Sequence, residues 1–238
     1  MKGNIKYLPA MLLFFSCTVS AQFNGSNYSL FINYNYTSSS KIYFQPKASD
    51  EFLRGIHSFL DNVPGLGVEI RMKAADNFFI GLGADYLRKK GKINNVSVAA
   101  GTLEAVEAED GFEVVPVELT GYYIFPFSLK NYKFFMGGGI GYYLGSHIRT
   151  VGDITSNTIS RTGNLGIHVL TGVEVILTDY LTLRGSAKFR DVEFSMKSGY
   201  DKLEGNYNGT PVQIINPSFD TKVVIDGIMF NIGLAWQF

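Results

Sequence analysis

Large apolar side chains alternate with polar or small residues along most of the chain. A period of two residues places these two sets on opposite faces of a β-strand. The alternation predicts eight strands, at 27–37, 65–72, 78–86, 113–125, 132–145, 164–177, 181–190 and 228–238. One face of each predicted strand is apolar, and the other carries charged, amide or glycine residues.

The connections between the predicted strands alternate in length. The segments 73–77, 126–131 and 178–180 are short, and Asp, Asn, Ser and Pro supply their turn chemistry. The remaining connections, 38–64, 88–112, 146–163 and 191–221, are long loops in this interpretation. This asymmetry is typical of outer-membrane barrels. The prediction is an all-β fold, an eight-stranded antiparallel up-and-down transmembrane β-barrel with short periplasmic turns and long extracellular loops.

One segment of the first long loop breaks the alternation. Within 49–60, Phe52, Ile56, Phe59 and Leu60 follow helical spacing, which predicts a short helix despite Gly55 inside it. Packing of this helix on its own barrel is favoured over a lid that binds a partner.

Composition and charge narrow the class of protein. The chain has 21 basic and 21 acidic residues and no basic run, so a nucleic-acid partner is not expected. Two lysines, an apolar stretch and Val19-Ser20-Ala21 predict a signal peptide at 1–21, which leaves 22–238 as the outer-membrane β-barrel domain. A lipoprotein site at Cys17 is the alternative. Cleavage before Gln22 removes the single cysteine, so no disulfide is expected.

The faces opposite the apolar stripe predict a polar interior network. Its members are Glu69, Arg71, Asp85, Glu118, His168, Glu174, Arg184, Lys188 and Arg190. Four are acidic and four are basic, and paired buried charges are tolerable where isolated ones are not. The interior of an eight-stranded barrel is just wide enough to be filled by side chains. A hairpin centred on Asp179 would set Glu174 opposite Arg184 and His168 opposite Arg190.

Candidate catalytic chemistry is sparse. The three histidines are His57, His147 and His168, and neither HExxH nor CxxC spacing occurs. His168 is interpreted as a core histidine rather than a general base. The sequence therefore predicts a protein without enzymatic activity, metal site or cofactor.

Five segments together resemble a known family. They are LGADYLRKKGKI (82–93), FEVVPVELTGYYIFP (112–126), YKFFMGGGIGYYLG (132–145), GVEVILTDYLTLRGSAKF (172–189) and IMFNIGLAWQF (228–238). The pattern resembles the small porin-family, or outer-membrane β-barrel-domain, proteins abundant in Bacteroidetes-type Gram-negative bacteria, and is similar in build to OmpA/OmpX-type barrels.

The resemblance implies a location in the outer membrane, among its lipid and lipopolysaccharide. It also implies recognition by the outer-membrane assembly machinery through the last strand. The residues that would carry this signal are Ile232, Leu234, Trp236 and Phe238.

The sequence is compatible with four functions. The first is a closed, non-enzymatic barrel that acts structurally or through its outer loops, whose ligand the sequence does not name. The others are a narrow passive channel, a membrane enzyme that acts on lipid or lipopolysaccharide, and a soluble carrier with an apolar lumen. The carrier is disfavoured because eight strands cannot enclose so many large apolar side chains.

Overall fold

The computed structural model describes residues 27–99, 103–129 and 131–238. The predicted signal peptide at 1–21, including Cys17, lies outside these residues. The strands in chain order are β1 (Tyr28–Thr37), β2 (Lys41–Tyr43), β3 (His57–Phe59), β4 (Val63–Ala75), β5 (Phe78–Ala99), β6 (Leu103–Ile124), β7 (Tyr132–Val151), β8 (Ile154–Thr162), β9 (Asn164–Ile176), β10 (Leu181–Tyr200), β11 (Glu204–Tyr207), β12 (Thr210–Ile214), β13 (Ser218–Ile225) and β14 (Ile228–Gln237). A short helix, α1 (Glu51–Gly55), precedes β3.

Eight of the strands pair into a closed antiparallel ring. Its order is β1, β4, β5, β6, β7, β9, β10 and β14, and β14 pairs back onto β1 from Ser29↔Gln237 to Thr37↔Met229. These are the eight strands that the alternation predicts. Because every ring strand has two neighbours, the ring has no exposed backbone edge.

Short turns join β4 to β5, β6 to β7 and β9 to β10 at one end of the ring, which we call the short-turn end.

Asp50 caps α1 by accepting a hydrogen bond from the Phe52 backbone N–H. Among the described residues, no helix is long and apolar enough to cross a membrane.

Beyond the ring, the sheet continues as a second part that we call the extension (38–62, 88–99, 103–113, 146–163 and 191–226). The prediction of long loops is wrong for most of these residues. β5 and β6 stay paired from Phe78↔Tyr123 to Ala99↔Leu103, and β10 continues to Tyr200 between β8 and β13. Several ring strands are therefore much longer than predicted, with β5 at 22 residues and β10 at 20 residues.

The apolar face of the strands inverts between the ring and the extension. On β5, Ile80 and Leu82 point outward and are exposed, whereas Ile93 and Val98 point inward and are buried. On β10, Phe189 is exposed but Phe194 is buried. The inward apolar residues form two clusters, one around Phe112 and one around Val151. The extension thus has the apolar-in pattern of a protein in water, and the ring has the opposite.

The predicted helix at 49–60 is only partly correct. α1 ends at Gly55, and the next residues lead into β3, which pairs with β2. Phe52 is 78% exposed and Phe59 is 58% exposed, so neither packs on the ring as expected. Leu60 is buried in the extension.

Candidate functional site

Four charged side chains form one layer inside the ring, nearer its short-turn end. Arg184 on β10 donates from Nε to Glu174 Oε1 and from Nη1 to Glu69 Oε1, both at 2.9 Å. Arg71 on β4 donates from Nη2 to the same Glu174 oxygen at 2.6 Å. Glu174 and Arg184 are direct cross-strand partners, as the hairpin arithmetic predicted.

Aromatic rings pack against both guanidinium groups of this layer. Arg184 Cζ lies 4.3 Å from the Phe31 ring centroid, and Arg71 Cζ lies 5.1 Å from that of Phe79. Tyr122 lies near both cations and donates its hydroxyl hydrogen to Glu69. Stacking of this kind stabilises a cation that has lost its water.

A second layer lies closer to the extension and centres on Glu118. Lys188 Nζ donates to its Oε2, and Tyr143 Oη donates to its Oε1 at 2.7 Å. Arg190 is held 3.9 Å from the same carboxylate and donates from Nη2 to Thr37 Oγ1 at 3.1 Å. The glutamate is therefore compensated by two cations and a hydroxyl.

The other two predicted residues complete the interior. His168 is buried opposite Arg190, and its Nε2 lies 2.9 Å from Thr120 Oγ1. Asp85 is half-buried and lines a cavity of about 30 Å³ between the layers, together with Glu118 and Lys188. The structure thus places all nine predicted network residues inside the ring.

Some interior residues were not found by sequence reasoning. Phe31, Phe79, Tyr122 and Phe135 point inward, and so does Lys133, which lies opposite Glu174 on β7. The signal was present, because all five share the phase of the polar face. The predicted network contains only charged residues and one histidine, so it leaves out the four aromatic residues of that face, and it omits Lys133, which lies at the start of its strand.

The last strand presents the predicted apolar stripe outward. Ile232, Leu234 and Trp236 are about half exposed, and Phe238 follows them at the short-turn end. The Phe238 ring stacks on Tyr28 at 6.1 Å, and Trp236 packs on Tyr180 at 4.9 Å. Phe238 and Tyr28 lie at the joint at which β14 closes the ring on β1, and the contact between Trp236 and Tyr180 lies on the β10 side of β14.

The extension holds a separate buried charge cluster. Asp110 on β6 contacts His147 Nε2 and accepts a hydrogen bond from Arg149 Nε at 3.1 Å. The Arg149 guanidinium lies 4.1 Å from the Phe219 ring centroid. Arg149 was predicted in a loop, but it is 7% exposed on β7.

The contacts within this cluster and its burial shift the pKa values of Asp110 and His147. Burial by itself raises the pKa of the Asp110 carboxyl, but the His147 hydrogen bond and the Arg149 charge outweigh burial and lower that pKa. Burial lowers the pKa of the His147 imidazole, against the opposing effect of Asp110. Both shifts favour a neutral His147 imidazole beside a charged Asp110 carboxylate.

The acidic and histidine side chains belong to the types that serve as ligands in metal sites. In 27–99, 103–129 and 131–238, no three His, Cys, Asp or Glu side chains come together as a metal-binding group. His57 lies exposed on β3, with its Nδ1 2.8 Å from the Gly55 carbonyl oxygen. The chemistry that the interior supports is ion pairing and hydrogen bonding across the lumen.

A closed antiparallel ring with an apolar outer face and a polar interior resembles the fold of small outer-membrane β-barrel proteins. No protein-family model matches the chain, and no curated protein matches it. Among solved structures, the outer membrane protein OprG from Pseudomonas aeruginosa superposes with a TM-score of 0.59 at 12% identity, over 90% of this chain and 96% of OprG. That likeness concerns the fold alone.

Two further solved structures superpose more loosely. Neisserial surface protein A gives a TM-score of 0.46 at 13% identity, over 90% of this chain and 100% of that chain. The Escherichia coli outer membrane protein W gives a TM-score of 0.39 at 15% identity, over 90% of this chain and 99% of that chain. At these scores neither adds to the likeness with OprG.

Proposed function

We propose that this chain is an integral outer-membrane β-barrel protein without enzymatic activity. Its ring spans the membrane, its polar interior is closed, and it acts structurally or through the extension outside the membrane. The short-turn end faces the periplasm. OprG, whose fold the chain shares, is an outer membrane protein.

The outer surface of the ring supports the membrane placement. Its exposed positions carry Leu, Ile, Val and Met in the middle and aromatic rings towards both ends. At the short-turn end the rings are Tyr28, Phe78, Tyr123, Tyr132, Trp236 and Phe238, and near the extension they are Tyr34, Tyr86, Tyr142, Phe189 and Phe230. Two aromatic belts around an apolar band match the two interfaces of a bilayer. The inversion of the apolar face marks where lipid would give way to water.

The contact between Arg71 and Glu174 carries the proposal of a closed interior. β4 and β9 are four strands apart in both directions around the ring, so this ion pair crosses the full lumen. Arg184 fills the space beside the pair and reaches Glu69. Because each charge is buried and paired, opening the lumen would cost several kcal/mol.

The remaining proposals concern how the protein reaches the membrane. A signal peptide at 1–21 directs export, and the outer-membrane assembly machinery reads Ile232, Leu234, Trp236 and Phe238. These residues support that role because they are exposed, apolar and adjacent to the closing joint of the ring.

Conductance in a planar bilayer tests the closed interior. The protein starting at Gln22 should insert without steady current, with insertion verified by protease protection of the ring. Arg184→Gly together with Tyr122→Gly removes two large side chains from the plug and should produce openings. Steady current from the unaltered protein would contradict the proposal.

A narrow channel is the second candidate, and the interior cavities favour it. One of about 30 Å³ lies between the two charged layers, and one of about 70 Å³ lies at the short-turn end. Each has room for water. A channel built on them would give small, stable currents in the unaltered protein, which the double variant would enlarge.

A further inference from the structure

The cavity of about 70 Å³ at the short-turn end is lined by residues from seven strands of the ring. Its lining residues are Tyr28, Ser29, Arg71, Phe79, Ile124, Lys133, Glu174 and Gln237. Four of them, Phe79, Ile124, Lys133 and Gln237, also line a wide mouth of about 670 Å³ outside it. The cavity and the mouth therefore adjoin each other at the short-turn end.

Arg71 lines this cavity and has hydrogen-bond donors without a partner among the described residues. Its side chain is 3% exposed, and Nη2 donates to Glu174. Its Nε and Nη1 are buried and have no hydrogen-bond partner among the described residues. A buried donor without an acceptor costs about 1–3 kcal/mol. The Phe79 and Tyr122 rings lie 5.1 and 5.2 Å from Arg71 Cζ, so the guanidinium cannot easily turn to another partner.

The charges around the cavity do not balance. Lys133 stands directly opposite Glu174 across the β7–β9 pair, and within the described ranges no carboxylate lies within 4.0 Å of its ammonium group. Arg71 and Arg184 already share Glu174, and Arg184 also takes Glu69. Three cations therefore face two carboxylates around the cavity itself. The Asp179 carboxylate lines the wider mouth but not the cavity.

We propose that this cavity is an anion-binding site for a carboxylate or phosphate group. The anion would accept hydrogen bonds from Arg71 Nε and Nη1 and would contact the Lys133 ammonium. Planar guanidinium donors suit both oxyanions. Water can satisfy the free donors but cannot neutralise the excess charge. The ion-pair layer to which Arg184 belongs stops the anion from passing through the ring.

The side-chain Nε–H resonance of Arg71 gives a direct readout of binding. The probes are inorganic phosphate, acetate and dihexanoyl phosphatidylglycerol, titrated into ¹⁵N-arginine-labelled protein in zwitterionic micelles. We expect a saturable shift of this resonance. Saturation with phosphate or acetate supports a free anion, and saturation with the lipid alone supports a phospholipid headgroup.

Lys133→Gln is the informative variant because the residue is half-buried and makes no ion pair that folding would lose. It should weaken the affinity for the probe about tenfold, which is the loss of one good charge-assisted contact. Arg161→Gln, which removes an exposed charge from β8, should leave the affinity unchanged. No saturable shift with any probe, or equal affinity in the unaltered protein and Lys133→Gln, would overturn the proposal.

Discussion

Arg71 on β4 and Glu174 on β9 meet across the centre of the ring, with Nη2 2.6 Å from Oε1. Both side chains are about 97% removed from solvent, and Arg184 bonds to the same carboxylate oxygen. The ring is thus tied across its diameter by an ion pair rather than filled by apolar side chains.

Arg184→Ala should destabilise the protein strongly. The substitution leaves Glu174 with one cation and Glu69 with none of its present ion pairs, and an uncompensated buried charge costs about 3–5 kcal/mol. Arg161→Ala removes an exposed charge and should change stability by less than about 1 kcal/mol. Urea unfolding in detergent micelles compares the two, and equal midpoints would show that the interior ion pairs contribute little.

Ile232→Arg should destabilise the protein only if lipid surrounds the ring. An arginine on the lipid face near the bilayer midplane costs about 2–4 kcal/mol. Ile159→Arg is the matched control, because Ile159 is 63% exposed in the extension and Ile232 is 57% exposed on the ring. Folding into phospholipid vesicles measures both variants. Equal effects would place the two isoleucines in the same medium and contradict the membrane placement.

Gly139→Ala should impair folding of the ring. A Cβ built at Gly139 would lie 1.9 Å from the Leu119 carbonyl oxygen, so the backbone of β6 or β7 would have to move. At Gly185 the nearest atom is 4.0 Å away, and Gly185→Ala should fold normally. The heat-modifiable shift of folded barrels on gels reports the folded fraction. A normal shift for Gly139→Ala would mean that the strands can separate without cost.

Mild acid should loosen the extension through His147. Burial lowers the pKa of this histidine in the folded protein, so below the ordinary value of about 6.5 the unfolded state binds the proton more readily. Stability is therefore lost as the pH falls from about 6.5. The pKa of Asp110 is also lowered in the fold, so its contribution is lost at more acidic pH, below about 3.9.

Hydrogen exchange of the amides at 146–151, compared between pH 7 and pH 5.5, measures this loss after correction for the intrinsic rate. His147→Asn should reduce the change in protection across this interval. The ring amides at 134–140 serve as the internal reference. Uniform protection of the extension in both proteins at both pH values would show that His147 does not govern it.

Removal of Phe238 should reduce assembly in the outer membrane. Phe238 ends the exposed stripe of β14 and stacks on Tyr28, which belongs to the strand that closes the ring. Phe127→Ala is the control, because Phe127 is an equally apolar ring, 70% exposed, on a short turn. The folded fraction in isolated outer membranes compares the variants. Unchanged assembly without Phe238 would remove the proposed signal role.

Local alternation was enough to find the ring strands and the direction of their side chains. Ile32 and Asn33 illustrate this, since adjacent residues of one strand must face opposite sides. The Glu174–Arg184 pair followed from the short hairpin alone, because a tight turn fixes the register of its strands. No such local rule predicts which residues of distant strands contact each other.

The sequence by itself determined the number of ring strands, their alternating faces and the balanced charges of the nine-residue network. Only the tertiary structure decided that Arg71 reaches Glu174 across the lumen, that Lys133 adds an unbalanced charge, and that the predicted loops are strands with an inverted apolar face. The physical reason is that alternation is set by the geometry of one strand. Partners across the ring depend on its closure and stagger, which involve all eight strands together.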